Sequence, residues 1–240
     1  NTLTPITEQS ALEDLCGRLA EAEFVCVDTE FHRETTYWPE LCLIQASGPG
    51  VEGLIDPRAE DLDIKPFLDL IASDRQTKVF HAARQDIEIF NRLIGHPPGP
   101  VFDTQVAAMA LGFGDSISYD NLVQRVLRKQ IDKSSQFTDW MRRPLSQKQL
   151  IYALGDVTHL RDAYQIMRDE LARTDRLAWV REEIARFQSA APCPACGGKR
   201  LKPQSLAVKI AGLDISQAGE FSIRKAGDWF GGVAKTLTKQ

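Results

Sequence analysis

Two hundred and forty residues, 43% of them hydrophobic and 26% charged, suffice for one domain with a proper core plus a smaller piece, and this composition excludes a disordered or fibrous chain. The formal net charge of −4 is unevenly spread: residues 178–240 hold ten Lys and Arg against five Asp and Glu, leaving the front near −9 and the tail near +5. No apolar run approaches the ~18 residues of a membrane span, the first residues lack a secretory layout, and an odd count of five cysteines argues against a disulfide framework, so no membrane partner and a reducing, cytoplasmic location are expected.

In chain order, EFVCVDTEF at 23–31, ELCLIQAS at 40–47 and VEGLIDP at 51–57 are short β-rich runs separated by turn residues, and they predict neighbouring strands. DLDIKPFLDLIAS then has helical spacing, KVFHAA is strand-like, and RQDIEIFNRLIG is an amphipathic helix stopped by Gly95 and Pro97-Pro98. VFDT at 101–104 predicts another strand. Helices are expected at TQVAAMALG, DNLVQRVLR, SQKQLIYALGDVTHLRDAYQIMRDEL and DRLAWVREEIARFQ. The pattern is α/β, a mixed central sheet flanked by helices. Beyond Phe187 small residues, Pro and Gly gather, and a module boundary is placed near residue 176.

Asp28 and Glu30 lie two apart in a predicted strand, so both carboxylates leave the same face. Crowded acids need a cation or partner to offset their charge, which makes this pair a candidate metal site. Asp86 opens a helix directly after a strand. Tyr152 and Asp156 are i and i+4 on a predicted helix, stacked on one face with Ala153 and Gly155 leaving room nearby.

These three segments, VDTEF, HAARQDIEIF and IYALGDVTHL, together with YWPELCLIQ, LIDP, VFDTQ and IDKSSQFTDWMRRPLSQKQL, resemble ribonuclease D and the wider DEDD exonuclease superfamily, in the subgroup with an added tyrosine. The resemblance spans roughly residues 5–176. It implies a ribonuclease H-like 3′→5′ exonuclease domain over residues 1–176, with a C-terminal appendage at 177–240. It further implies two divalent ions, Mg²⁺ or Mn²⁺, held by Asp28, Glu30, Asp86 and Asp156, with Asp28 bridging and Tyr152 orienting the attacking water. The partner implied is RNA with a free 3′ end, as in 3′ maturation of transfer RNA and other stable RNAs, bound by a monomer. Single-stranded DNA as the substrate, or a nucleic-acid-binding module without turnover, are the alternatives.

A 3′ exonuclease holds its terminal nucleotide by stacking and backbone contacts. Thr29, Phe31, His81 and Gln85 flank the acids and are candidate substrate contacts, with His81 read as a hydrogen-bonder, not a metal ligand. Residues 125–148 collect Arg125, Arg128, Lys129, Lys133, Arg142, Arg143 and Lys148, a candidate phosphate-tracking rim from which Lys133, Arg142 and Arg143 are singled out.

From about Trp179 the chain instead looks like an internal piece of the damage-recognition ATPase subunit of the bacterial excision nuclease, the expectation being a fused or chimeric tail. It lacks a Walker A loop: Lys235-Thr236 has Ala234 and Trp229 where glycines belong, so no ATP is expected. Cys193-Pro-Ala-Cys196 is a single CxxC. A structural zinc site usually wants four ligands, so no zinc is expected there.

Overall fold

The computed structural model describes residues 2–32, 39–132, 134–136, 138–188, 207–219, 221 and 223–233. The chain divides into two units, Asn1–Gln188 and Ser189–Gln240.

The first unit is built on a five-stranded sheet in the order β3-β2-β1-β4-β5. Its strands are β1 (Phe24–His32), β2 (Glu40–Gly48), β3 (Val51–Ile55), β4 (Thr77–Phe80) and β5 (Val101–Asp103). β1, β2 and β3 form the antiparallel meander expected from their tight connections, whereas β1–β4 and β4–β5 are parallel, each reached through a helix. β1 is central, and Phe24–Val27 are buried on both faces, which explains why its first half is a continuous apolar run and not an alternating one.

Helices cover both faces. α1 (Gln9–Ala20) packs behind β3, where a Cβ on Gly53 would stand 2.7 Å from Leu15 Cδ2; the glycine lets helix and strand approach. α2 (Lys65–Ala72) and α3 (Arg84–Ile94) follow, and α3 ends at Gly95, whose φ of 84° is the left-handed cap that L side chains disfavour. α4 (Thr104–Ala110) and α5 (Tyr119–Leu127) lead to α6 (Gln147–Arg173), the longest helix. A capping box starts α6: Gln149 N donates to Ser146 Oγ at 3.3 Å, and Ser146 N donates to Gln149 Oε1 at 3.0 Å. α6 lies across the opposite sheet face from α1, with the Tyr164 ring 4.5 Å from that of Phe24 on β1.

α7 (Leu177–Gln188) belongs to this unit. Val180 and Ile184 are buried in the same core as β5 and α4, so the first unit runs twelve residues past the boundary placed at 176. The sequence signal there was the loss of resemblance, which is blind to an amphipathic helix that still packs.

Within the second unit, Asp214 caps α8 (Ile215–Gly219) by accepting from Gln217 N at 3.0 Å, and α9 (Ile223–Val233) is the short helix expected around Trp229. Cys193, Cys196, Lys235 and Thr236 lie outside the described residues, as does Lys133 in the first unit.

Candidate active site

The four acids arrive from three elements. β1 carries Asp28 and Glu30 on the α6 face, near its C-terminal end, where a β-bulge between Glu30 and Phe31 breaks the pairing with β2. The turn after parallel strand β4 delivers Asp86 in the first turn of α3. Asp103 pins that turn, accepting from Ala82 N at 3.1 Å and Ala83 N at 2.9 Å while capping α4 through Gln105 N at 2.8 Å. α6 brings Tyr152 and Asp156, one turn apart, down onto β1. The mouths of parallel strands, where helices begin, are the usual position for a ligand site in such sheets.

Asp28, Glu30, Asp86 and Tyr152 line one cleft of about 900 Å³ with Thr29, Phe31, His81 and Gln85, and its far wall is formed by Thr138, Asp139, Trp140 and Met141. Asp156 lies just behind Tyr152, lining a neighbouring cavity of about 430 Å³ that Tyr152 shares. Its charge is nonetheless felt at Glu30, so the four acids form one electrostatic cluster.

Burial dominates the chemistry of that cluster. It pushes the Asp28 carboxyl up to about 6, with the Thr29 backbone N–H opposing the rise. Asp156 is pushed up to about 8 by burial and then by the Asp28 charge, against a hydrogen bond from Tyr152. Glu30 rises to about 10, by burial first and then by the charges of Asp28, Asp156 and Asp86. Asp86 is raised by burial and by Asp28, and the Thr29 hydroxyl, 2.6 Å away, lowers it. None of the four shifts owes anything appreciable to a lysine or arginine.

Clustered, desolvated carboxylates whose shifts owe nothing appreciable to a lysine or arginine are the donor set of a hard divalent cation with oxygen ligands. In the conformation described, no three His, Cys, Asp or Glu side chains among the described residues already converge on one ligation point. Asp86 is turned to the Thr29 hydroxyl and Asp156 to that of Tyr152. The chemistry of the donors therefore fits a hard divalent cation.

The Tyr152 phenol is raised far beyond its ordinary value, first by burial and then by the charges of Asp156, Glu30 and Asp28, so it stays protonated at any working pH. It can donate a hydrogen bond, as it does to Asp156. Trp140 packs beside it, ring centroids 6.2 Å apart. Tyr119 donates to the Asp156 carbonyl and fixes α5 against α6 at that point.

The other candidate residues separate into two groups. Phe31 and exposed Gln85 face the cleft. Thr29 also borders it, but is buried and its hydroxyl is spent on Asp86. His81 is a hydrogen-bonder, its Nδ1 3.0 Å from Thr104 Oγ1, and burial lowers its pKa, so it is neutral. Arg142 is exposed and away from the cleft lining. Arg143 is no open phosphate contact: it donates to Asp56 Oδ2 from Nε at 2.6 Å and to Asp56 Oδ1 and the Cys42 carbonyl from Nη2 at 2.8 and 2.7 Å. The basic residues of 125–148 do not form one track among the described residues. Arg125 lies over the Phe113 ring, Lys129 pairs with Asp162, and Lys148 lines the cavity beside Asp156. The pinning by Asp103 and the aromatic wall of Trp140 escaped the sequence reading, although Asp103-Thr104-Gln105 has the pattern of a helix N-cap.

The 3′-5′ exonuclease family model matches residues 3–172, and the chain belongs to that family. The curated relatives are ribonucleases D: that of Bartonella henselae is 48% identical over 228 residues, 91% of this chain and 56% of its own length. An alignment of that span runs past residue 188 into the second unit. The chain thus spans about half the length of the curated relatives it matches. Among solved structures, Escherichia coli RNase D, described as an exoribonuclease involved in structured RNA processing, is 29% identical with a TM-score of 0.76, covering 88% of this chain and 56% of that one. Brucella melitensis NrnC with bound Mg²⁺ is 26% identical with a TM-score of 0.62, covering 70% and 83%. The mixed sheet flanked by helices is therefore the ribonuclease H-like exonuclease fold.

Proposed function

We propose that this chain is the catalytic portion of a ribonuclease D-type 3′→5′ exoribonuclease, hydrolysing phosphodiester bonds one nucleotide at a time from RNA 3′ ends, with transfer-RNA and other stable-RNA precursors as substrates. The observation that carries the reading is that Asp28, Glu30, Asp86 and Tyr152 line one cleft while Asp156, in the adjoining cavity that Tyr152 shares, is electrostatically coupled to Glu30. One chain supplies every residue of this set, so the reading needs no residue from a second copy. Among the described residues no helix is long and apolar enough to cross a membrane, which is compatible with work in the cytoplasm.

The four acids would hold two divalent ions, Mg²⁺ or Mn²⁺; when bound, such ions supply Lewis-acid charge for the phosphate and lower the pKa of the attacking water. The chain's own residues do the rest. Tyr152, protonated and anchored to Asp156, orients the water through its hydroxyl. Phe31 and Gln85 line the path of the terminal nucleotide, and Trp140 packs in the cleft wall beside Tyr152. The second unit carries none of the named site residues.

Incubating the chain with 5′-labelled single-stranded RNA and its DNA counterpart tests the proposal. A ladder that shortens from the 3′ end on RNA and needs Mg²⁺ or Mn²⁺ is expected. Equal ladders on DNA would withdraw the RNA assignment, and retained binding without any ladder would withdraw the enzymatic one.

A further inference from the structure

Gln45 sits in the middle of β2, fully buried, and neither atom of its carboxamide has a hydrogen-bond partner. A buried amide with nothing to bond destabilises the fold, and native structures hold few such groups, so each calls for a reason. Valine or isoleucine would have served a purely structural position on a central strand.

The register supplies the reason. Gln45 is the direct antiparallel partner of Asp28, and opposed residues on neighbouring strands project from the same face. That face is the one under α6: Phe24, four residues before Asp28, meets Tyr164 of α6, and Ser47, two residues after Gln45, accepts from Arg161 of α6 at 3.2 Å. Gln45 and Asp28 therefore share one closed space between sheet and helix. The two side chains are chemically complementary, because Asp28 lacks donors and Gln45 has two unspent N–H groups. Asp28 receives only the backbone N–H of Thr29 against its burial, whereas Asp86 has Thr29 Oγ1 and Asp156 has Tyr152.

We propose that Gln45 is the positioning residue of Asp28: its Nε2, unbonded in the conformation described, would donate to the Asp28 carboxylate when that group turns to a bound divalent cation and hold it there. The inference rests on the exonuclease reading of the site. It gives each of these three acids a neutral donor of its own: Gln45 for Asp28, Thr29 for Asp86, Tyr152 for Asp156. Groups that orient metal-binding carboxylates in this way typically contribute ten- to a hundredfold to ion affinity or turnover.

The test compares wild type with Gln45→Met and Gln45→Leu, which keep the volume and remove the amide. Three quantities are measured: melting temperature in EDTA, Mn²⁺ affinity by calorimetry, and kcat and KM on single-stranded RNA. The expected result is an unchanged or higher melting temperature in EDTA, Mn²⁺ affinity about tenfold or more weaker, kcat down about tenfold or more, and KM for RNA unchanged. Stable variants that bind Mn²⁺ as wild type does would overturn the proposal, since a merely buried amide leaves ion affinity alone. The calorimetry does not depend on turnover. Failure of the exonuclease reading would appear as an inactive wild type, whereas failure of this inference appears as wild-type Mn²⁺ binding in the variants.

Discussion

Thr29 Oγ1 donates a 2.6 Å hydrogen bond to Asp86 Oδ1, tying the central strand to the first turn of α3 across 57 residues of sequence. Thr29 borders the cleft, yet its hydroxyl is committed to a carboxylate, which makes it an orienter of an acid and not a contact for the nucleotide. Thr29→Val, close to it in shape and lacking the hydroxyl, should weaken Mn²⁺ binding about tenfold and lower kcat with little change in KM; Thr29→Ser should retain both. Calorimetry alongside steady-state kinetics distinguishes this from a substrate contact, whose loss would raise KM.

The raised carboxyls have a signed consequence for stability. Asp28 and Asp156 ionise near 3.8 when unfolded, and their folded values are about 6 and about 8; Glu30 moves from 4.5 to about 10. Between pH 4 and those folded values the native chain binds more protons than the unfolded one, so stability is full at low pH and lost as pH rises. In EDTA the melting temperature should therefore fall from pH 5 to pH 8. Mg²⁺ should raise it, and by more at pH 8 than at pH 6, because ions bind the ionised form. Thermal melts at four pH values, with and without Mg²⁺, check the slope and its reversal.

Neutralising one acid should separate function from stability. Asp156→Asn removes a charge that burial and the Asp28 carboxylate disfavour, so its melting temperature in EDTA at pH 8 should exceed that of the wild type while Mg²⁺ no longer raises it to the wild-type extent. Differential scanning calorimetry reads both effects on one sample.

Arg143 and Asp56 make a bidentate pair in which the Asp56 side chain is only 6% exposed. Removing the guanidinium leaves a buried carboxylate with the backbone N–H of Arg58 but no cationic partner, and takes a donor from the Cys42 carbonyl. Arg143→Ala should cost about 3 kcal/mol, the low end for a broken buried pair because Arg143 itself is partly open to solvent. Urea unfolding measures the loss. Arg143→Lys should recover little of it, since an ammonium cannot reproduce the fork.

The position of α7 gives a truncation test. Ending the chain after residue 176 removes Val180 and Ile184 from the core, an estimated loss of about 3–5 kcal/mol from two buried aliphatic side chains, whereas ending it after Gln188 should leave the first unit's stability intact. Denaturant unfolding of the two truncated chains against the full one decides where the domain ends.

What the sequence disclosed follows from what local spacing can encode. Asp28 and Glu30 on one strand face, and Tyr152 and Asp156 one helical turn apart, are short-range periodicities, and the structure places them where period 2 and period 3.6 put them. The meander and the helix stop at Gly95 were legible for the same reason. Partnerships across the fold were not. Nothing local distinguishes Arg143, whose partner Asp56 is 87 residues away, from an arginine open to phosphate. Gln45 is one polar residue in an apolar strand, and only the register with β1 sets it beside Asp28. Thr29 stood next to an acid in the sequence, but the acid it serves is on another element.

The central claim is that the carboxylate cluster hydrolyses RNA from the 3′ end. It is tested most directly by following 5′-labelled single-stranded RNA over time with wild type and Asp28→Asn, each in Mn²⁺ and in EDTA, after circular dichroism shows both proteins folded. The account predicts a progressive ladder from the 3′ end with wild type in Mn²⁺ and intact RNA in the other three reactions. A ladder of undiminished rate from folded Asp28→Asn, or from wild type in EDTA, would contradict it.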